Sequence, residues 1–237
     1  MSVSIPRLSR SEIIYPDSDG KPMADNTLQF RWIVTIKEGL DRVYRHRPDV
    51  FVAGDLFWYP VVGHPEICQA PDALVAFGRP KGDRGSYKQW EEGGIAPQAV
   101  FEVLSPSNTY REMLRKHEFY EKYGVDEYYV YDPDDLWMEG WQRSQGKLVK
   151  IPQVDGWTSP LLGIRFDLSG SELTILGPDG QRFLTYQEIA DERDRLVLER
   201  DQVAQERDRL AHERDAKCQR AEQMAAQLRA MGLEPPS

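Results

Sequence analysis

The chain has 237 residues, of which 40% are hydrophobic and 29% charged, with a formal net charge of −9. That length suits one sizeable domain with an appendage, and the apolar content is too high for a fully disordered chain. Net acidity excludes a protein that coats DNA through many Lys and Arg contacts to phosphate, although it leaves room for one with a local basic track.

From the N-terminus, the opening MSVSIPRLSR lacks the charged-then-apolar layout of a signal peptide, and residues 1–24 read as an extension. No apolar run approaches a membrane span, so no membrane partner is expected. Asp25 or Asn26 can cap a helix over Thr27–Arg45, with Leu28, Trp32, Ile36, Leu40 and Val43 as its apolar stripe. Val50–Trp58 reads as one strand, and Gly63-His64-Pro65 turns the chain toward a second, Ala73–Phe77. After a polar loop, Gly78–Gly94, the run Ala99–Leu104 reads as a third strand, apolar enough to be buried on both faces. Thr109 and Glu112 have capping-box spacing for a second helix that stops at Gly124. Tyr128–Tyr131 is a fourth strand, and Trp137–Gly180 suggests β-hairpins packed beside the core. The two cysteines, Cys68 and Cys218, lie too far apart in sequence to suggest a disulfide framework or a cysteine zinc site, which makes a reducing cytoplasm the expected setting.

The predicted domain spans residues 25–185, and residues 186–237 form a charged helix with a heptad repeat, ERDRLVL-ERDQVAQ-ERDRLAH-ERDAKCQ. One column reads Ile189, Leu196, Val203, Leu210, Lys217, Met224 and Met231, whereas the column three residues earlier carries Arg193, Arg200, Arg207 and Arg214. A two-stranded coiled coil wants two apolar columns. A solvated, ion-paired helix and a weak dimerising coiled coil are therefore both open readings. From Asp191 onward lie 9 of the 30 basic and 11 of the 39 acidic residues, so −7 of the net charge belongs to the first 190 residues.

Three residues could carry chemistry. Glu102 sits mid-strand on the face of Val100 and Leu104, where a buried carboxylate needs a cation or several donors. Asp72 follows Pro71 at a strand start; if the second and third strands are neighbours, the two carboxylates converge. Such a pair holds together best around a divalent metal. Lys116 shares a helical stripe with Met113, Tyr120 and Tyr123, and from there its ammonium could reach both acids. Read singly, each has a plainer explanation: a salt-bridged strand Glu, a Pro-Asp turn, a snorkelling Lys. The trio is more specific than any member.

The segments Gly54-Asp55-Leu56, Ala70-Pro71-Asp72, Phe101-Glu102-Val103-Leu104-Ser105-Pro106-Ser107 and Lys116-x-x-x-Tyr120-x-x-x-Gly124-Val125-x-Glu127-Tyr128, ending at Asp132-Pro133, resemble the Uma-two family of restriction-endonuclease-like proteins over roughly residues 25 to 190. The resemblance implies the PD-(D/E)XK nuclease superfamily and an α/β fold with an αβββαβ core and a mixed sheet. It implies Mg²⁺- or Mn²⁺-dependent hydrolysis of a nucleic-acid phosphodiester, DNA in the first instance, by direct attack of water. Asp72 and Glu102 match the superfamily's two acids, and the Val103 carbonyl would be a third metal ligand. Leu104 stands where the superfamily's lysine is expected, so Lys116 on the following helix would replace it. Glu38 is a candidate extra acid. Substrate contacts would fall to Arg79, Lys81, Arg84 and Lys88 after the second strand and to Arg111 and Arg115 beside Lys116. A catalytically silent nuclease-like interaction protein, oligomerising or binding partners through its C-terminal helix, is the rival from another class, and a homodimer through the domain or that helix is open in either reading. A phosphodiesterase for small nucleotides is the third.

Overall fold

The computed structural model describes residues 13–18, 20 and 22–231; of the predicted extension, residues 1–12, 19 and 21 lie outside them. The chain divides into two compact units, residues 1–185 and 186–237.

In the first unit, Asn26 caps helix α1, Thr27–Val43, its side-chain oxygen accepting from the Gln29 N–H at 2.8 Å. The helix buries Trp32, Ile33, Ile36 and Leu40 against the sheet, one face of a 3.6-residue repeat. The predicted strand over Val50–Trp58 is a correction. Strand β1 covers only Val50–Ala53, and β2, Trp58–Tyr59, belongs to a separate pairing. The break falls at Gly54 and Asp55, whose φ of 47° leaves the extended region, and the Asp55 N–H donates to the Pro71 carbonyl. The remaining elements are β3 (Ala73–Phe77), β4 (Tyr87–Lys88), β5 (Ala99–Val103), α2 (Tyr110–Tyr123), β6 (Glu127–Asp132), β7 (Trp137–Ser144), β8 (Lys147–Lys150), β9 (Arg165–Asp167) and β10 (Thr174–Leu176). Within the loop expected at Gly78–Gly94, β4 pairs in parallel with β2.

Six strands form one mixed sheet in the order β1-β3-β5-β6-β7-β8. Only β5 and β6 run parallel, as the intervening helix α2 requires, and every other neighbour is antiparallel. One sheet face packs on α1 and on the β9–β10 region, with Phe101, Tyr129 and Phe166 among its contacts. The other face packs on α2 through Val100, Tyr120 and Tyr128. Burial on both faces explains why β5 is buried at all five positions. Thr109 caps α2 by accepting from the Glu112 N–H, and Gly124 ends it at φ 102°, a left-handed conformation glycine adopts without steric cost.

The second unit is helix α3, Tyr186–Ala230, 45 residues long. Intrahelical pairs such as Arg209–Glu206 at 2.6 Å lace its surface, and the column Ile189, Leu196, Val203, Leu210, Met224 and Met231 is exposed. Among the described residues, no helix is long and apolar enough to cross a membrane.

Candidate active site at the ends of β3 and β5

Strand β3 begins at Ala73 opposite Phe101, so one step back along the antiparallel register sets Asp72 against Glu102. Both side chains point to the α2 side of the sheet, because alternation puts them in line with Leu74 and Val100. The last residue of β5 then lacks a strand partner on this side, and side chains replace it. The Val103 N–H donates to Asp72 Oδ2 at 2.6 Å, and its carbonyl accepts from Gln29 Nε2 at 2.8 Å. Gln29 also takes the Asp25 N–H on its Oε1 at 2.8 Å, which fixes the start of α1 to the end of β5.

Glu102 is 2% exposed. Its Oε2 accepts from Lys116 Nζ at 2.8 Å, and its Oε1 accepts from the Tyr120 hydroxyl. Lys116 and Tyr120 are four apart on α2 and so share one face. Asp72 Oδ1 accepts no hydrogen bond from the described residues. Burial pushes the Asp72 carboxyl well above the usual aspartate range, and the charge of Glu102 adds to this, against Lys116 and the Val103 N–H. For Lys116, burial works to lower the pKa, but Glu102 and Asp72 outweigh it and raise it. The ammonium is therefore held charged between two acids.

Asp72 and Lys116 open onto a cleft of about 420 Å³, lined also by Asp25, Gln29, Asp55, Asn108 and Glu112. Its floor is organised by the turn after β5. Ser105 Oγ donates to Asp25 Oδ2 at 2.6 Å, Ser107 Oγ donates to the same oxygen, and Asn108 Oδ1 accepts from the Ser105 N–H at 2.9 Å.

The donor set fits one hard divalent cation. Two carboxylates converge with their repulsion only partly offset, and the carbonyl of Val103, the residue whose N–H meets Asp72, has one lone pair used by Gln29. Among the described residues no group of three or more His, Cys, Asp or Glu side chains is placed to hold a metal, so water and phosphate would have to complete the shell.

The other expected contacts fall elsewhere. Arg79 Nε and Arg84 Nε converge on buried Glu92 at 2.8 and 2.6 Å, and the Arg84 guanidinium lies 3.9 Å over Phe51. Both are thus engaged within the fold, and neither lines the cleft. Lys81 pairs with Asp41 at 3.4 Å, Lys88 with Glu91 at 3.7 Å, and Glu38 with Lys37 at 2.9 Å, all outside the cleft lining. Arg111 and Arg115 are exposed on α2 and make no ion pair among the described residues. Sequence reasoning missed Gln29 and the part played by Tyr120. The Lys116-x-x-x-Tyr120 spacing carried a signal for the tyrosine. Nothing local marks Gln29, whose partner is 74 residues away.

Comparison with known proteins adds the family. No curated protein matches the chain. A solved structure titled as a putative nuclease belonging to DUF820, from Anabaena variabilis, is similar at 16% identity, covering 60% of this chain and 78% of that one with a TM-score of 0.44. The family model Uma2, described as putative restriction endonuclease, matches residues 21–175, the span that holds α1, the six-stranded sheet, Asp72, Glu102 and Lys116. The chain belongs to the Uma2 family.

Proposed function

We propose that the chain is a Mg²⁺- or Mn²⁺-dependent endonuclease that hydrolyses DNA phosphodiesters by direct attack of water. One observation carries the reading: Asp72, Glu102 and Lys116, far apart in sequence, are brought together, with Asp72 and Lys116 lining one cleft and buried Glu102 paired to Lys116. Asp72 and Glu102 would hold the ion, with the Val103 carbonyl alongside. A bound divalent cation supplies Lewis-acid polarisation of the phosphate and of the attacking water.

The chain's own groups do the rest. Lys116 orients the water and offsets charge that builds on the non-bridging oxygens in the transition state. Tyr120 fixes the rotamer of Glu102, and Gln29 fixes the Val103 carbonyl. The attacking water gives up its proton to solvent through the open cleft, and the leaving oxygen takes one up from solvent there. In the same reading, copies of the chain associate through α3 and the protein works in the cytoplasm.

Purified protein with Mn²⁺ and single-stranded, nicked, branched and duplex DNA tests this, beside Asp72→Ala. Cleavage by the wild type and its loss in the variant, by a factor of about 10³ or more for removal of a metal ligand, is the expected result. Cleavage that survives the substitution overturns the site assignment. If no polymer is cut and calorimetry shows no Glu102-dependent Mn²⁺ binding, the silent interaction protein takes its place. Activity on dinucleotides alone points to the small-nucleotide phosphodiesterase.

A further inference from the structure

Helix α2 separates two concavities. On one side Glu112 and Lys116 line the catalytic cleft; on the other, Tyr110, Met113, Leu114 and His117 line a groove of about 580 Å³ closed by Tyr128, Trp137 and Trp141 from β6 and β7. Asn108, just before the helix, lines both. The helical repeat puts Arg111 and Arg115 on the outer ridge between them, where both are exposed.

The groove is aromatic from floor to rim. Trp141 stacks on Tyr128 at 5.1 Å and 19°, and meets His117 edge-on at 5.2 Å. At the rim Tyr110 is 84% exposed and Trp137 43%, a large area to leave in water beside a catalytic cleft. The Tyr128 hydroxyl is the one buried side-chain polar atom among the described residues that lacks a hydrogen-bond partner. Polar groups also face the groove, among them Asn108, Thr109 and the ion pair of Lys150 with Glu139, so its lining mixes flat rings with donors and acceptors.

We infer that this groove receives an unpaired nucleobase of a single-stranded nucleic acid whose backbone crosses α2 from the catalytic cleft. This deepens the nuclease reading and rests on it. Three features favour that occupant over a peptide or a second copy. Asn108 lines both the groove and the cleft; the ridge a strand must cross carries two guanidiniums with no ion pair among the described residues; and ring faces suit bases of any sequence. The cleft itself argues against a duplex. Among the described residues, Asp17, Asp25, Asp55, Asp72 and Glu112 line it with Lys116 as the one Lys or Arg, so these offer little to the two phosphate backbones of B-form DNA. A strand already unstacked can place one phosphate near Asp72 and hold itself by stacking instead.

The test measures binding apart from cleavage. Asp72→Asn protein in EDTA is titrated into fluorescein-labelled oligothymidylate, oligouridylate and a duplex, each about 12 nucleotides long, within the span single-strand sites cover. Single strands should bind at least about tenfold tighter than duplex, and Tyr110→Ala/Trp137→Ala should weaken single-strand binding about tenfold, the lower end for losing a stacking partner. Trp137→Phe should keep it. Arg111→Ala/Arg115→Ala should flatten the salt dependence by about 1.4 in log–log slope, as for two phosphates on a single strand. The two oligonucleotides decide between DNA and RNA. Circular dichroism melting verifies that the variants, all at exposed positions, stay folded.

Unchanged affinity in the folded double variant, or a preference for duplex, overturns the inference. So does sedimentation showing that Trp137→Ala dissolves a dimer, because a second copy then fills the groove. Groove-dependent binding by a chain that never cleaves sinks the nuclease reading alone; cleavage by the wild type that ignores the groove sinks this inference alone.

Discussion

At the residue scale, the site is a balance among buried charges, and the balance sets what each substitution does. Glu102 is nearly inaccessible and relies on Lys116 and Tyr120. Removing one partner of a buried ion pair leaves the other charge uncompensated, at about 3–5 kcal/mol. Lys116→Met should therefore lower stability in urea titrations by about 3 kcal/mol in the absence of metal, whereas Lys116→Met/Glu102→Met should cost less than the single change. A double variant that loses the sum of both would show that the pair is not coupled. Glu127 gives a pH signature away from the site. It accepts from Tyr129 at 2.9 Å, from Ser159 and from the Leu161 N–H at 3.2 Å, yet burial still raises its pKa above the usual glutamate value. The folded state then holds this proton to a higher pH than the unfolded chain does. Its contribution to stability is full below the unfolded pKa and falls as pH rises through the folded one. Glu127→Gln should gain in melting temperature relative to wild type as pH rises above the usual glutamate range; a constant difference would mean that Glu127 does not titrate above that range.

At the scale of elements, α2 and the β1–β2 break do the positioning. One face of α2 delivers Lys116 and Tyr120 to Glu102, and Thr109 and Gly124 fix where that face begins and ends. The bond from the Tyr120 hydroxyl to Glu102 was not legible in the sequence, whereas the caps and the stripe that Lys116 shares with Tyr120 were, because capping residues and a 3.6-residue stripe are local signals. So was the αβββαβ order, and with it the chance that Asp72 and Glu102 converge. The split of Val50–Trp58 was not. The run is apolar on both sides of Gly54-Asp55, and its interruption depends on a contact with a segment some 16 residues on, the distance from Asp55 to Pro71. The commitment of Arg79 and Arg84 to Glu92 escaped for the same reason, since a basic loop looks alike whether its charges face solvent or a buried acid. Gly54 makes the break testable. A Cβ there would stand 3.2 Å from the Asp72 carbonyl oxygen, a backbone atom whose displacement would carry with it the carboxylate proposed to bind the metal. Gly54→Ala should reduce Mn²⁺-dependent cleavage at least about tenfold, since small displacements of a catalytic group cost orders of magnitude in rate. Its effect on the melting temperature should be small. A fully active variant would show that Asp72 tolerates the shift.

For the whole molecule, the question is what a 45-residue helix with one apolar column contributes. Nothing within its own unit buries Leu196, Val203 or Leu210, and intrahelical ion pairs add only a few tenths of a kcal/mol each. An isolated helix gains most of its stability from packing its apolar face, so a second copy of α3 is the natural partner. That partner would bring Arg193, Arg200, Arg207 and Arg214 to the seam beside the apolar column. Arginine stems can lie along an apolar surface while their guanidiniums reach water, which permits association but makes it weak. Sedimentation should thus show self-association in the micromolar range, about −8 kcal/mol, lost when the chain is cut after Ala190. Arg200→Leu/Arg207→Leu supplies the missing second column. Burying two leucines is worth about 1.5–3 kcal/mol each, so the dimer should tighten at least a hundredfold. If that variant stays monomeric, the heptad is a solvated spacer and not a dimer seam. If the wild type already dimerises tightly and the truncated chain does as well, the association surface lies in the first unit.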